Sequence, residues 1–161
     1  SSNHMSNLLV QNIKHTNGTS AMSLDSGGRV NIPGYIVQVA TVSDFTSGET
    51  TLNNASTNLV NVNVTRKVAG SAFLVRYECV INRAATSNWH YLGYNIGGSN
   101  IAEVKAKDDN SWHTQSKTFA LNTSVSGDVG ATINFASHNR NGASHNDSIF
   151  MPNLIVMEIA Q

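Results

Sequence analysis

One stretch of the chain alternates so regularly that it limits the possible folds more than any other. Residues 71–83 read Ser-Ala-Phe-Leu-Val-Arg-Tyr-Glu-Cys-Val-Ile-Asn-Arg, and every second side chain from Phe73 to Ile81 is apolar. Because successive residues of a strand point to opposite faces of a sheet, one face is a continuous apolar stripe that must meet a core. The other face carries a mixed row that suits a second, partly buried contact: Leu74, Arg76, Glu78 and Val80. The period of two predicts a long central β-strand and fits no helix.

Length and charge narrow the class of protein. A chain of 161 residues is most simply one domain that buries about two-thirds of its unfolded surface. Charged residues make up 12% of the chain and its formal net charge is zero, so we expect no nucleic-acid partner and no membrane insertion. No apolar run approaches the roughly eighteen residues of a membrane helix, and no signal peptide is visible. The single cysteine, Cys79, lies on the apolar face of the central strand and is expected to be a buried, inert thiol.

The chain divides into three parts. Residues 1–5 are expected to be a cloning remnant followed by a start at Met5. Residues 6–34 form a thin opening segment with turns at Asn17-Gly18 and Ser26-Gly27-Gly28. Such a segment buries too little surface to stand alone, so we expect it to pack on the following domain, on copies of itself, or on both.

From residue 35 to residue 161 the pattern predicts only β-structure. Eight or nine strands at this spacing, with no convincing helix, are typical of an all-β sandwich or barrel. The predicted strands beside the central one are 35–42, 59–66, 89–96, 101–107, 116–121, 129–136 and 149–159. Residues 45–58 are predicted to be a polar connection, and residues 138–147 a polar loop.

Two strands are apolar on both faces. Residues 35–42 form a nearly continuous apolar run, which predicts a strand covered on both sides. In residues 149–159, Leu154 and Val156 share one face, while Ile155, Met157 and Ile159 share the other. This last strand therefore needs a second cover, which is either another sheet or another subunit.

Two short sequence segments resemble segments of phage fibre proteins. The runs Ile13-Lys14-His15-Thr16-Asn17-Gly18-Thr19-Ser20-Ala21-Met22 and Leu24-Asp25-Ser26-Gly27-Gly28-Arg29-Val30 resemble a passage that recurs in bacteriophage tail and head fibres. There it precedes a proline and the distal domain, as Pro33 does here. The remainder is similar to the trimeric jelly rolls of the complement and tumour-necrosis-factor superfamily, in its central strand, its turn at residues 126–128 and its apolar ending with one acid.

The resemblance implies a particular assembly. It implies a single jelly-roll sandwich over residues 35–161 that forms a homotrimer, with residues 6–34 as a β-rich trimerising segment. It also implies a virion fibre that is made in the host cytoplasm and uses its distal face for host attachment.

Two tryptophans mark a possible binding site. Trp89 and Trp112 each follow a polar turn and precede a histidine. Sugar C–H groups stack on an aromatic ring while nearby amides and carboxylates bond the hydroxyls. The predicted ligand-binding residues are Trp89, His90, Asp109, Asn110, Trp112, His113, Asn139 and Arg140. The alternative is that each tryptophan only caps one end of the sandwich.

Metal binding and catalysis have little support. The six histidines fall in no helical His-x-x-x-His motif and no Cys/His cluster. Asp108, Asp109 and Asn110 could bind calcium in a turn, although such residues also bond their own backbone there. Three copies of His15 could share a cation on a trimer axis, and a surface histidine beside a turn is the alternative. No Gly-x-Ser-x-Gly elbow and no distinctive carboxylate pair is present, so we expect neither a cofactor nor an enzyme.

These observations lead to a functional prediction with two alternatives. The chain is predicted to be a virion fibre domain that recognises the host cell surface by binding a glycan. The first alternative is a purely structural fibre tip or capsid-decoration protein. The second is a polysaccharide-cleaving enzyme.

Overall fold

Twelve β-strands and no helix are formed by the residues that the computed structural model describes, which are 10–82, 89–106, 112–142 and 147–161. The strands are β1 (Asn12–Lys14), β2 (Ser20–Leu24), β3 (Val30–Asn31), β4 (Ile36–Ser43), β5 (Thr50–Thr51), β6 (Asn61–Thr65), β7 (Ala72–Asn82), β8 (His90–Ile96), β9 (Ser99–Ala106), β10 (Trp112–Thr118), β11 (Thr132–Asn141) and β12 (Ser148–Ile159). The expectation of an all-β sandwich is therefore confirmed. None of these described residues belongs to a helix that could span a membrane.

Strand pairing is nested along the chain: two consecutive strands pair in the middle, and earlier strands pair with successively later ones on either side. β8 pairs with β9, β7 with β10, β6 with β11 and β4 with β12, all antiparallel. The result is a five-stranded sheet in the order β10-β7-β12-β4, with β5 on β12, and a four-stranded sheet in the order β6-β11-β8-β9. The pairing is that of a long hairpin folded back on itself, with its strands divided between two sheets.

The central strand fills the core as its alternation predicts. All five apolar residues from Phe73 to Ile81 that share the inner face of β7 are fully buried. Phe73 stacks against Phe135 of the other sheet, with ring centroids 5.2 Å apart. The prediction that Cys79 is buried is confirmed, and burial raises the pKa of its thiol to about 12, which disfavours the reactive thiolate.

Strand β11 is longer than its sequence predicts. Residues 138–141 were expected to begin a polar loop, yet they continue the strand. Asn139 points inward, where it accepts a hydrogen bond of 2.5 Å from the hydroxyl of Tyr77. Asn141 also points inward and donates to the carbonyl of Leu52 at 3.1 Å. The loop prediction is wrong here because buried partners satisfy side chains that look typical of a loop.

The predicted strand at residues 116–121 is also displaced. β10 begins at Trp112 and ends at Thr118, so Trp112 is a strand residue and not a turn residue. Within the predicted range Phe119 is buried, whereas Leu121 is 39% exposed and does not face the core.

One face of the five-stranded sheet remains open and apolar. Strand β4 lies at the sheet edge, and Val39 is 53% exposed, so the prediction that this strand is covered on both sides is wrong for the single chain. On β12, Leu154 and Val156 are fully buried while Ile155 and Met157 are half-buried. We call this surface the five-stranded outer face, and its apolar members are Val39, Leu74, Val80, Trp112, Phe150, Ile155 and Met157.

The opening segment forms a small sheet of its own. Strands β1, β2 and β3 pair in that order, and most of their residues are exposed. The amide of Gly34 donates to the carbonyl of Ala160 at 2.7 Å. A groove of about 380 Å³ separates Asp25 and Arg29 from Lys67 and Val68. The trimerising role of this segment stays a prediction.

The single acid of the terminal strand is an internal anchor. Glu158 is fully buried and accepts hydrogen bonds from the amides of Lys67 and Val68, each at 2.9 Å. The hydroxyl of Ser71 donates to it at 2.7 Å and the amide of Gln38 at 2.5 Å. Burial alone would raise the pKa of this carboxyl, but the hydrogen bonds hold it below its ordinary value. Glu158 thus ties β12 to β4 and to the turn before β7.

Candidate functional site

The candidate residues gather near one end of the sandwich. In the five-stranded sheet, β7 ends there and β10 and β12 begin there, as the pairing of Asn82 with Trp112 and Ser148 shows. In the four-stranded sheet, β9 and β11 end where β8 begins, at His90. The connecting segments 83–88, 107–111 and 143–146 lie outside the described residues. The predicted ligands Asp108, Asp109 and Asn110 fall in them and stay predictions.

Three predicted ligand-binding residues lie on the inner side of the sandwich. His90 and Asn139 have no exposed surface, because the alternation of β8 and β11 turns both side chains inward. His90 faces His113 of the other sheet, with ring centroids 5.9 Å apart. Asn139 donates to the carbonyl of Tyr91 at 3.3 Å. In this structure a ligand on the outer surface does not reach His90 or Asn139.

The two tryptophans lie on opposite faces of the sandwich. Trp112 is 53% exposed and belongs to the five-stranded outer face. Its ring meets that of Phe150 edge-on, with centroids 5.3 Å apart. Trp89 is 40% exposed and precedes β8 of the four-stranded sheet. The tryptophans therefore do not form one shared binding site within a chain.

Trp89 belongs to an aromatic patch on the outer face of the four-stranded sheet. The ammonium of Lys105 lies 4.1 Å from the centroid of the Trp89 ring. Next to it, the guanidinium of Arg140 lies 3.7 Å from the centroid of Tyr91. A Cβ at Gly142 would lie 3.2 Å from the Tyr91 ring and 3.3 Å from Cβ of Trp89, so a glycine allows the chain to approach both closely. We define the aromatic patch as Trp89, Tyr91, Lys105, Arg140 and Gly142.

A polar network adjoins the aromatic patch. Nδ1 of His138 lies 2.7 Å from Oγ of Ser56, and Nε2 lies 2.7 Å from Oε2 of Glu103. Arg140 donates to the same carboxylate from Nε at 3.0 Å and from Nη2 at 2.5 Å. Asn95 donates to Oγ of Ser56 at 3.3 Å. We call Ser56, Asn95, Glu103 and His138 the His138 network, and Arg140 joins it to the aromatic patch.

The negative charge of Glu103 determines which neighbouring groups donate hydrogen bonds to it. The hydrogen bond from Arg140, with a further one from His138, lowers the pKa of Glu103 to about 2. An ionised carboxylate only accepts hydrogen bonds, so Nε2 of His138 carries the proton between them. The amide nitrogen of Asn100 lies 2.9 Å from that ring nitrogen and 3.3 Å from Oε2 of Glu103, and it donates to the carboxylate. Nδ1 of the same ring faces Oγ of Ser56 at 2.7 Å.

Neutral amides extend the same outer face. Asn134 donates to the side-chain oxygens of Asn61 at 3.2 Å and of Asn63 at 2.8 Å. Amides of this kind both donate and accept hydrogen bonds without carrying charge. The face thus combines exposed rings with neutral polar groups, as the low charge of the sequence leads one to expect.

Part of this site was accessible from the sequence. Trp89 and Arg140 were among the predicted residues, whereas Ser56, Tyr91, Glu103 and Lys105 were not, and His138 was assigned to a loop. Cross-strand pairing brings Tyr91 opposite Lys105. A Cβ at Gly93 would lie 2.1 Å from the carbonyl oxygen of Ala102. The glycine inside β8 is therefore a sequence signal that the backbones of β8 and β9 approach each other closely.

The candidate metal ligands do not assemble in the described part of the chain. No group of three His, Cys, Asp or Glu side chains able to hold a metal occurs there. His15 is exposed, and its Nδ1 accepts from the amide of Asn17 within its own turn at 3.3 Å.

Comparison with known proteins identifies the fold but no family. No protein-family model and no curated protein matches the chain. Among solved structures, VP2 of infectious bursal disease virus, crystallised as a subviral particle, matches with a TM-score of 0.51 at 13% identity, over 86% of this chain and 37% of that one. The chain thus spans well under two thirds of VP2, and the likeness concerns the β-sandwich alone. The EclA C-terminal domain, a sugar-binding protein, has 15% identity over 82% of this chain and 88% of that one, with a TM-score of 0.35.

Proposed function

We propose that this chain is a virion fibre domain that binds a glycan of the host cell surface. The binding surface is the outer face of the four-stranded sheet, around the aromatic patch and the His138 network. The virion assignment is supported by the phage-fibre-like segments at residues 13–30 and by a sandwich of the kind found in the virus particle protein VP2.

The observation that carries glycan binding is the partly exposed Trp89 beside Tyr91. Buried aromatic residues stabilise a core, but Trp89 is 40% exposed, and its ring, with the Lys105 ammonium over one face, offers a rigid apolar surface to a ligand. Sugar C–H groups stack on such a ring, while hydroxyls bond nearby carboxylate and amide groups. Glu103 and the neighbouring asparagines supply these groups without a large net charge.

We further propose that three copies associate through the five-stranded outer face. Its half-buried apolar residues, including Leu74, Ile155 and Met157, form the kind of surface that subunits cover. This arrangement leaves the four-stranded outer face of every copy in solvent. Three weak sites on one particle then bind a cell surface with high avidity.

The test is titration of soluble oligosaccharides, chosen from a glycan array, into the purified protein. A soluble monovalent ligand reports each site separately, so the trimer's avidity does not enter. Trp89→Ala should weaken binding at least ~10-fold, since stacking on one aromatic ring contributes about 1–3 kcal/mol in comparable sites. Trp112→Ala is the matched control and should bind normally, because its ring lies on the opposite face.

Raising the salt concentration from low to physiological should change the affinity little, since stacking and neutral hydrogen bonds are not screened. Normal binding by Trp89→Ala together with loss in Trp112→Ala would contradict the site. Binding of the wild-type protein to its own virion and to no glycan or cell would instead favour the purely structural fibre tip. The open apolar five-stranded outer face is the feature that such a role would use.

A further inference from the structure

We propose that Ser56, His138 and Glu103 form a nucleophile, base and acid relay that hydrolyses carboxylic esters, with acyl esters of sugars as the substrate class. The hydrolysis rests on the geometry of these three residues alone. The sugar part of the substrate rests on the proposed function. No local sequence pattern indicates catalysis here, because no elbow motif is present and Ser56 and His138 are 82 positions apart.

The three side chains have the spacing of a catalytic triad. Two hydrogen bonds of 2.7 Å link Ser56 to His138 and His138 to Glu103. Triads occur on unrelated folds and are recognised by geometry and roles, not by sequence order. Here Nδ1 contacts the serine and Nε2 contacts the carboxylate, whereas serine proteases use the two ring nitrogens the other way round.

The degree of burial of Ser56 and of His138 fits the roles of nucleophile and base. Ser56 is an exposed residue at the surface of the sandwich, whereas His138 is 1% exposed and is shielded from bulk water. The hydroxyl of Ser56 lies closer to His138, at 2.7 Å, than to the Asn58 carbonyl at 3.2 Å, so the imidazole receives its proton. Arg140 holds the carboxylate of Glu103 in place while Tyr91 supports the guanidinium.

Asn95 positions the hydroxyl of Ser56. Its Nδ2 donates to Oγ of Ser56 at 3.3 Å and to Oδ1 of Asn58 at 3.1 Å, so both of its amide hydrogens are engaged in this structure. Asn95 is only 2% exposed, and side chains that are held by packing and hydrogen bonds keep a nucleophile in place.

The reaction balances without a cofactor. Oγ of Ser56 attacks the ester carbonyl carbon as its proton passes to Nδ1 of His138, and the carbonyl oxygen becomes the oxyanion. The bond to the alcohol oxygen then breaks, and His138 returns the proton to that oxygen. Water attacks the acyl-serine, His138 takes one proton from the water, and the carboxylic acid leaves as the proton returns to Ser56. One ester and one water thus give one alcohol and one acid.

The test uses p-nitrophenyl acetate, which contains no sugar, so its outcome is independent of glycan binding. The wild-type protein should release p-nitrophenol above the buffer rate, and mass spectrometry after a fluorophosphonate should locate the adduct on Ser56. Ser56→Ala should lower the rate at least ~100-fold. Because Ser56 is exposed, this variant should keep the wild-type melting curve.

Ser47→Ala is the matched control, since Ser47 is an exposed serine bonded to a carboxylate, Asp44, without a histidine. It should retain the full rate. Glu103→Gln should slow turnover while leaving Ser56 as the labelled residue. A wild-type rate equal to buffer, an adduct elsewhere, or full activity in Ser56→Ala would each overturn the proposal. Soluble-glycan titration of Ser56→Ala then reports the binding function separately.

Discussion

Replacing Glu158 by alanine removes the acceptor that joins β12, β4 and the turn before β7. In the wild-type chain the buried carboxylate accepts from the amides of Lys67 and Val68 and from the hydroxyl of Ser71. The alanine variant leaves these three donors buried and unsatisfied. Each such donor costs about 1–3 kcal/mol, and partial relaxation around the gap reduces the sum. We therefore expect a loss of roughly 3–5 kcal/mol in the free energy of unfolding, near the lower end of the sum for three unsatisfied donors.

Glu158→Gln is a smaller perturbation of the same contact. The glutamine keeps the shape and one acceptor oxygen but turns an NH₂ group towards donors, so a loss of about 2 kcal/mol is expected. The pKa of Glu158 is lowered on folding, so its stabilisation is present above the pKa of the unfolded chain and is lost as pH falls. The glutamine variant should therefore lose less stability than the wild type on acidification.

The measurement is urea denaturation at one fixed protein concentration, because the proposed subunit association would also contribute to the apparent stability. Glu49→Ala is the control, since Glu49 is exposed, and it should leave the midpoint nearly unchanged. A free energy for Glu158→Ala within 1 kcal/mol of wild type would show that water or a shifted side chain replaces the carboxylate. The anchoring role would then be wrong.

Three further predictions concern assembly and acid. Ile155→Asp places a charge on the five-stranded outer face and should convert the proposed trimer into folded monomers by light scattering; a trimer in this variant would exclude the interface. Val156→Asp places the charge in the core and should unfold the chain. Deleting residues 6–34 should lower the melting temperature and weaken the trimer but leave a folded sandwich by circular dichroism; complete unfolding would show that the segment belongs to the core. Folding lowers the pKa of Glu103 from 4.5 to about 2, so its contribution is complete above 4.5 and is lost towards 2. Acid titration of Glu103→Gln should lack that loss, and an unchanged curve would contradict the role of Arg140.

The sequence predicts those elements whose burial follows from local alternation. Strand β7 was found because its inner residues repeat every second position. The end of β11 was missed because Asn139 is satisfied by Tyr77, 62 positions away, and no local pattern shows such a partner. The apolar run in β4 was identified correctly as a strand, but its apolarity does not distinguish a covering sheet from an open edge.

The candidate site could likewise be predicted only where a local sequence pattern marks it. Trp89 was selected because an aromatic residue after a polar turn is a local signal. Ser56, Glu103 and His138 come from three distant segments, and only the nested pairing of the strands brings them together. Nothing in their individual surroundings in the sequence distinguishes them from other polar residues.

The proposed glycan binding through the four-stranded outer face can be tested directly by tryptophan fluorescence, because the chain has only two tryptophans. Trp112→Phe leaves Trp89 as the single reporter, and Trp89→Phe leaves Trp112, while phenylalanine preserves an aromatic ring at either position. Each variant is titrated with the oligosaccharide that binds the wild-type protein. We predict that the emission of Trp89 shifts and saturates with the binding isotherm, while that of Trp112 stays constant. A constant Trp89 emission at full occupancy, or a shift seen only in Trp112, would contradict the assignment of this face.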